Sequence, residues 1–296
     1  MLQPCLETLE LSDGYRAAVR WWRPPNPRGA VLYFHGIQSH GGWYEASGSH
    51  LAEAGLTVLM PDRRGSGLNQ QQRGHAPSAT RCVDDAADAL DALLTASGSA
   101  AAHVVGVSWG GKLAVALASA HGPRVRSISL IAPGLFPRVD VSAPEKFRIA
   151  MSLVNDRQRP FDIPLNDPRM FTANPARIAF VEGDALRLTQ VTAAFLLAGR
   201  RLDRLAPRFG RTSWNGSVHL MLAGRDRIID NERTSRWLRD LPWEDRQITL
   251  YRDAHHTIEF EADPSAFFDD LTRWIVERCD GADASPRVVA AAATDR

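Results

Sequence analysis

The sequence predicts an α/β protein, in which a mainly parallel sheet carries helices on both faces. Short runs of β-branched and other apolar residues, typical of buried strands, recur along the chain. Longer segments with the 3.6-residue apolar period of helices lie between them. Because parallel neighbouring strands must be joined by a crossover, this alternation indicates successive β-α-β units.

Seven segments are predicted as strands. The first, 15–22, alternates in the way a half-buried strand does, and the others are compact apolar runs. In chain order these others are 30–34, 57–60, 103–107, 127–131, 218–222 and 248–251. Helices are predicted at 42–54, 81–94 and 110–121, the last of which ends at the stop signal Gly122-Pro123.

The segment 137–211 breaks this rhythm. It shows no convincing strand, and Pro-rich loops join helical patterns such as 184–202. A strand-free insertion of this length predicts a helical cap laid over the edge of the sheet, where caps usually close a pocket. The predicted organisation is the first part of an α/β core at 1–136, a helical cap at 137–211, the second part of the core at 212–280, and a flexible Ala-rich tail at 281–296.

Composition excludes several function classes. The 296 residues include 35 basic and 34 acidic side chains, a formal charge of +1, so a nucleic-acid partner is not expected. The three cysteines, Cys5, Cys82 and Cys279, are far apart, so neither a disulfide framework nor a cysteine-rich zinc site is predicted. An acidic N-terminal segment and the lack of a long apolar run predict a cytoplasmic protein without a transmembrane segment.

The most informative motif is Gly106-Val107-Ser108-Trp109-Gly110, which joins a predicted buried strand to a predicted helix. A G-x-S-x-G sequence in that position is typical of the nucleophile elbow. Small residues flank the serine because the backbone turns so tightly that a Cβ two positions away would clash. The amino terminus of the following helix favours a developing oxyanion. Ser108 is therefore the candidate nucleophile.

A serine hydroxyl needs a base to remove its proton and an acid to orient that base. The last predicted strand is followed by two adjacent histidines, His255 and His256, between which the residues alone do not decide. After the penultimate strand, Asp226 lies directly in the turn, whereas Asp230 is typical of a helix N-cap. We therefore predict Asp226 as the acid. The chain order Ser, Asp, His is that of α/β-hydrolases.

The oxyanion hole is predicted from position alone. The loop His35-Gly36-Ile37 closes the strand at 30–34 and lies beside the elbow, so the backbone N–H groups of Ile37 and Trp109 are the expected donors. We interpret His35 as a brace for this loop rather than a proton carrier. The next strand ends in Asp62-Arg63-Arg64-Gly65-Ser66-Gly67, which lacks the spacing of a dinucleotide-binding turn. It is interpreted as a structural loop in which Asp62 and Arg64 are paired or solvated, and no cofactor and no metal are expected.

Taken together, these motifs resemble the monoacylglycerol lipase and lysophospholipase branch of the α/β-hydrolase superfamily. The matching segments are His35-Gly36, Ser39-His40 with Gly42, Asp62 to Gly67, Arg73-Gly74-His75, Gly106 to Gly110, Gly224 with Asp226, and His256 with Glu261. The resemblance selects His256 over His255. It implies hydrolysis of a small-molecule ester or lipid through an acyl-enzyme, with Ser108 attacking, His256 carrying the proton and Asp226 holding His256.

The sequence also departs from this family. Ser66 stands where the family often has a second histidine, and Ile37 is bulkier than the residue often found there. Five cap residues are candidates either to line an acyl channel or only to pack the cap on the core. They are Met170, Phe171, Phe180, Phe195 and Leu196.

The resemblance leaves the substrate open. A thioesterase, an amidase, an acyltransferase or a C–C bond hydrolase would use the same groups, and a non-catalytic binder of this fold is an alternative from another class. Transient contact with lipid surfaces and the oligomeric state are also left open.

Overall fold

The strands of the main sheet follow the buried apolar runs of the sequence. The computed structural model describes residues 2–279 and the backbone of 294–295. The strands are β1 (Cys5–Glu10), β2 (Arg16–Trp22), β3 (Gly29–Phe34), β4 (Leu56–Pro61), β5 (Ala102–Val107), β6 (Val125–Ile131), β7 (Pro160–Asp162), β8 (Gln190–Thr192), β9 (Ser217–Ala223), β10 (Arg246–Tyr251) and β11 (Thr294–Asp295). Within the described residues, nine of them form one sheet in the order β1-β2-β4-β3-β5-β6-β9-β10-β11.

The helices lie on both faces of this sheet. They are α1 (Glu45–Glu53), α2 (Ala79–Ser97), α3 (Gly110–Ala120), α4 (Ala143–Asn155), α5 (Pro175–Gly183), α6 (Ala193–Asp203), α7 (Asn231–Arg239) and α8 (Ser265–Cys279). Successive residues of β3 point to opposite faces: Leu32 belongs to the core that also contains Leu90 of α2, and Tyr33 to the core that contains Leu271 of α8. The predicted α/β class is confirmed.

The sheet is parallel from β4 through β3, β5, β6 and β9 to β10, and β1 and β2 are antiparallel to their neighbours. Each of the seven predicted strands is present, with ends shifted by at most two residues. Strand β1 was not predicted. It is an edge strand exposed at nearly every position, so it has no buried face and no apolar alternation to reveal it.

The predicted absence of strands between 137 and 211 is wrong in detail. Strands β7 and β8 form a small antiparallel sheet in which Phe161 pairs with Val191. Three residues each are too few to produce a recognisable pattern. The helical pattern at 184–202 forms a helix only from Ala193, where the Thr192 hydroxyl accepts the Phe195 N–H at 3.2 Å. The segment 137–211 contains the helices α4, α5 and α6, which are joined by loops and short turns.

The domain boundaries given above stay predictions, and the predicted tail at 281–296 lies outside the described residues except for β11. No helix among the described residues is both long and apolar enough to cross a bilayer. The parallel strands β3, β5, β9 and β10 end at the same edge of the sheet, which is where an open α/β sheet places its ligands. The candidate residues all follow those strand ends.

Candidate active site

Ser108 lies on a sharp turn between β5 and α3. Its φ of 50° is in the left-handed region, which non-glycine residues rarely adopt. The turn is held on both sides, because the Ser108 N–H donates to the Ile131 carbonyl at 2.9 Å. The Ser108 carbonyl in turn accepts the N–H groups of Gly111 at 3.0 Å and Gly134 at 2.7 Å. The structure therefore fixes this serine in a strained backbone conformation beside the cavity described below.

Two glycines make the turn sterically feasible. A Cβ at Gly106 would lie 2.6 Å from the Gly110 carbonyl oxygen, and a Cβ at Gly110 would lie 2.4 Å from the Phe34 carbonyl oxygen. Both distances are far below van der Waals contact, so no other residue fits at either position without displacing backbone. The tight packing of β3, β5 and α3 thus explains why the motif has glycine on each side of the serine.

Asp226 and His256 form a buried pair. His256 Nδ1 lies 2.8 Å from Asp226 Oδ2, and the two side chains are 2% and 0% exposed. The other carboxylate oxygen accepts the N–H groups of Ile228 at 2.8 Å and Ile229 at 3.0 Å. Burial alone would raise the pKa of Asp226, but the His256 charge and hydrogen bond, with the two backbone donors, hold the pKa below its usual value. Asp226 is therefore a stable carboxylate that accepts from Nδ1–H.

The opposite nitrogen of His256 is available as a base. With the proton on Nδ1, Nε2 carries the lone pair. Among the described residues, Nε2 is buried and has no hydrogen-bond partner, so no hydrogen bond joins it to Ser108. The ring of Phe171 packs against the imidazole with centroids 6.1 Å apart. The structure thus joins two of the three predicted side chains by a hydrogen bond, and the third, Ser108, lines the cavity without a hydrogen bond to His256 Nε2.

The neighbouring histidine has a different partner. Glu261 Oε1 accepts the His255 backbone N–H at 2.7 Å and lies 3.0 Å from His255 Nδ1. His255 is therefore held against its own loop, while His256 reaches Asp226. Asp230, the alternative acid, caps α7 by accepting the Arg233 N–H at 3.0 Å, as its sequence context predicts.

The loop after β3 packs directly on the elbow. A Cβ at Gly36 would lie 3.4 Å from the Ser108 Cβ, which shows how closely the two turns approach. Among the described residues, neither the Ile37 nor the Trp109 N–H donates to another residue. His35 braces the loop, with Nδ1 2.8 Å from the Gly36 carbonyl and Nε2 accepting the Arg63 N–H at 2.9 Å. Burial, with the nearby Arg63 charge, holds the pKa of His35 well below its usual value, which keeps the ring neutral.

Arg63 is a site residue that the sequence analysis missed. Its guanidinium donates to the carbonyls of Gly36 at 3.0 Å and Ile37 at 2.9 Å, and its centre lies 4.6 Å from the Trp109 ring centroid. It therefore fixes the loop and the residue after the serine together. The neighbouring Arg64 is turned away and pairs with Asp85 at 2.8 Å. Two adjacent arginines in one loop gave no signal for which of them faces the site.

Asp62 has a structural role in the same loop. It lies 2.9 Å from Arg20 Nη1 and accepts the Gly41 N–H at 2.7 Å, so it ties this loop to β2 and to the segment after β3. Asp62 and Arg64 are thus both paired, each with a partner outside the loop.

A cavity of about 330 Å³ opens at Ser108, Ile37 and Trp109. Its size suits a small organic ligand. The apolar part of its lining comes largely from the cap and includes Val139, Val141, Ile149, Leu153, Ile163, Leu165, Phe195, Leu196 and Leu197. Of the five candidate channel residues, Phe195 and Leu196 line this cavity. Met170, Phe171 and Phe180 do not, and the Phe180 ring instead packs against Trp43 and Phe260.

A buried carboxyl group anchors the His256 loop. Glu259 is 4% exposed, and its oxygens accept the Ser47 N–H at 3.1 Å and the Ser47 hydroxyl at 2.5 Å. Burial raises the pKa of Glu259 to about 7, even though the bonds from Ser47 and the Arg177 charge favour the ionised form. The loop that carries His256 is thus attached to α1 through a carboxyl that titrates near neutral pH.

This group predicts a pH dependence of stability. Because the folded state holds the Glu259 proton more tightly than the unfolded state, the free energy of unfolding falls as pH rises from about 4.5 to about 7. Its slope approaches about 1.4 kcal/mol per pH unit. We expect Glu259→Gln to remove this part of the slope in urea unfolding, whereas Glu244→Gln, at an exposed carboxylate, leaves it intact. A Glu259→Gln slope equal to that of the wild type would contradict the prediction.

A family model matches most of the chain. Residues 25–263 match the family model Hydrolase_4, described as "Serine aminopeptidase, S33". An uncharacterised abhydrolase domain-containing protein of Dictyostelium discoideum is 25% identical over 94% of this chain, which spans 29% of that protein's length. A monoacylglycerol lipase of Mycolicibacterium smegmatis is 24% identical, with 89% of this chain and 94% of that protein aligned.

The fold also matches a solved structure. A soluble variant of monoglyceride lipase from Saccharomyces cerevisiae, solved with a substrate analogue, superposes with a TM-score of 0.82 at 20% identity, and the alignment covers 94% of this chain and 96% of that one. At this identity the likeness establishes the fold, and the match to the family model covers most of the chain. The protein therefore belongs to the Hydrolase_4 family and has the fold of the α/β-hydrolases.

Proposed function

We propose that the protein is a serine hydrolase that cleaves carboxylic esters with medium or long acyl chains through an acyl-enzyme on Ser108. The observation that carries the proposal is the buried His256–Asp226 pair at the carboxyl edge of the sheet whose elbow holds Ser108. The coarser assignment, an ester hydrolase, follows from the family and from the lipases among its relatives. The proposal adds the roles of the individual residues and the class of substrate.

In the proposed reaction, the Ser108 hydroxyl oxygen bonds to the ester carbonyl carbon as its proton passes to His256 Nε2. The Asp226 carboxylate stabilises the resulting imidazolium. The carbonyl oxygen becomes an oxyanion that accepts hydrogen bonds from the N–H groups of Ile37 and Trp109, which have no other acceptor among the described residues. The C–O bond then breaks, and the alcohol leaves with the proton from Nε2.

Water completes the cycle. It loses a proton to His256 Nε2 and attacks the acyl carbon, and the tetrahedral intermediate collapses to release the carboxylic acid and restore the Ser108 hydroxyl. No cofactor is required for any of these steps. Because Nε2 and the Ser108 hydroxyl are not hydrogen-bonded in the described structure, this mechanism requires the contact to form when substrate binds.

The apolar cavity supports an acyl substrate. Most of its lining residues are apolar, so a hydrocarbon chain fits it better than a sugar or a peptide. Monoacylglycerols and lysophospholipid-like esters are the proposed substrates. The family description as an aminopeptidase supports an amide substrate as the second candidate, which parallel assays of p-nitrophenyl esters and aminoacyl p-nitroanilides will separate. The cytoplasmic location stays a prediction from the sequence.

Covalent labelling tests the proposed nucleophile. We expect a fluorophosphonate probe to add once to the folded protein and to map to Ser108 by peptide mass spectrometry. Ser119→Ala is the matched control, because this serine lies on α3, the helix that follows Ser108, and its hydroxyl donates to the Val115 carbonyl. It should label like the wild type, whereas Ser108→Ala should not label.

Two outcomes would contradict this assignment. If Ser108→Ala is still labelled at another residue, that residue and not Ser108 is the nucleophile. Absence of both labelling and ester hydrolysis in the folded wild type would favour a non-catalytic binder.

A further inference from the structure

The cavity at Ser108 contains an ion pair that the proposed reaction does not use. Lys112 follows Ser108 by four residues on α3, and Asp203 is the last residue of the cap helix α6. Lys112 Nζ lies 2.5 Å from Asp203 Oδ1, and the two side chains are 10% and 20% exposed. Both residues line the cavity that begins at Ser108. The cavity that holds the proposed nucleophile therefore also holds a buried charged pair.

The Lys112 ammonium has unused hydrogen-bonding capacity. An ammonium carries three N–H donors, and Asp203 is its only ion-pair partner among the described residues. Burial lowers the pKa of Lys112, and the Asp203 carboxylate offsets only part of that effect. A buried ion pair adds little net stability. Attachment of the cap to α3 therefore does not by itself account for a lysine at this position. A ligand that supplies further acceptors would offset the cost of removing the Lys112 ammonium from water.

A second charged group lies at the rim of the same cavity. Asp140 accepts from Arg200 at 2.7 Å and from Lys146 at 2.7 Å, and all three side chains are about half exposed. Together with Lys112 and Asp203, the lining therefore carries three cations and two carboxylates. The rim carboxylate is already shared by two cations, so the local field at this end of the cavity favours an anion.

We propose that Lys112 binds an anionic group of the substrate, a carboxylate or a phosphate, and thereby makes the enzyme prefer esters that carry a negative charge at the end away from the scissile carbonyl. This inference rests on the proposed function, because it assigns the second end of the same substrate. The apolar walls contact the hydrocarbon between the two ends, Ser108 reacts with the carbonyl, and Lys112 donates to the anion. Lys112 is thus a specificity-determining residue.

Paired esters of equal length test the proposal. Mono-p-nitrophenyl adipate carries a carboxylate at the end of its acyl chain, and p-nitrophenyl hexanoate is its neutral counterpart. A second pair, lysophosphatidic acid and the monoacylglycerol with the same acyl chain, places a phosphate on the alcohol side. We expect Lys112→Met to lower kcat/KM for the anionic member of the recognised pair by about 10- to 100-fold, the usual effect of losing a charged hydrogen bond. The neutral member should change by less than about threefold.

Two further variants separate recognition from folding. Lys112→Met leaves Asp203 unpaired, so the double variant Lys112→Met with Asp203→Asn keeps this end of the cavity uncharged and should show the same loss of selectivity. Arg148→Met removes an exposed cation of α4 that does not line the cavity and should leave selectivity unchanged. If both Lys112 variants lower the rates for charged and neutral esters equally, the pair is only a clamp and the proposal is overturned.

Binding measurements keep the two proposals distinct. Calorimetry on the Ser108→Ala protein measures the Kd for adipate monoesters and lysophosphatidic acid without turnover. If the wild type hydrolyses no ester but Lys112→Met weakens binding of either anion at least tenfold, the anion site stands and the proposed function fails. If hydrolysis depends on Ser108 but neither anion shows dependence on Lys112 in rate or binding, the function stands and the anion site is rejected.

Discussion

Replacing Ser108 by alanine is expected to lower kcat/KM for p-nitrophenyl esters by about 10³- to 10⁶-fold. The variant removes the only atom that forms the proposed covalent bond, while the cavity and the donors of Ile37 and Trp109 remain. The residual rate would then come from binding and oxyanion stabilisation alone. Initial rates over several acyl chain lengths, with the enzyme in large excess for the variant, give the ratio.

The control for this loss of activity is a measurement of the stability of the Ser108→Ala variant. Alanine is smaller than serine, and the turn is held by backbone bonds to Ile131, Gly111 and Gly134 that the substitution keeps. These backbone bonds hold the strained φ of residue 108 whichever side chain it carries. We therefore expect the thermal unfolding midpoint to stay within a few degrees of the wild type. Undiminished turnover by a folded Ser108→Ala protein would end the proposal of a serine nucleophile.

Replacing Asp226 by asparagine is expected to lower kcat by about 10³- to 10⁴-fold, the second-largest effect. The carboxylate accepts from His256 Nδ1 and so places the lone pair on Nε2, where the proposed reaction needs it. An amide at this position can donate to Nδ1 instead, which moves the ring proton to Nε2 and removes the base. The lowered pKa of Asp226 means that its supporting charge persists through mildly acidic pH.

Asp230→Asn is the matched control for this variant. Asp230 lies four residues further along the same segment and was the alternative acid in the sequence. Since asparagine is as good an N-cap as aspartate, the bond to the Arg233 N–H is kept and activity should change by less than about threefold. Large loss in Asp230→Asn with little loss in Asp226→Asn would reassign the acid.

Local signals in the sequence predicted much of the fold and the candidate residues. The buried strands are apolar runs, and α3 begins where a strand meets glycines, so short-range sterics and burial were sufficient. Asp230 was interpreted as an N-cap from its neighbours alone, and the structure confirms that role. Strands β1, β7 and β8 were not predicted. Strand β1 is exposed and β7 and β8 have three residues each, so none of the three leaves a periodic pattern.

Other features depended on contacts between distant segments. Neighbouring residues could not separate His255 from His256, for which only the family resemblance gave a preference. In the structure they have different partners, Glu261 and Asp226. Arg63 and Arg64 likewise differ only in which way the folded loop turns each side chain.

The sequence by itself determined the order of strands and helices, the glycine-flanked turn at Ser108 and the segments that carry the candidate acid and base. Each of these follows from burial, backbone sterics or capping over a few residues. Only the tertiary structure decided which cap residues line the cavity, and only it brought Lys112 to Asp203, 2.5 Å apart although far separated in the chain. Such contacts depend on how α6 packs against α3, and that packing is set by the shape of the whole core rather than by local spacing.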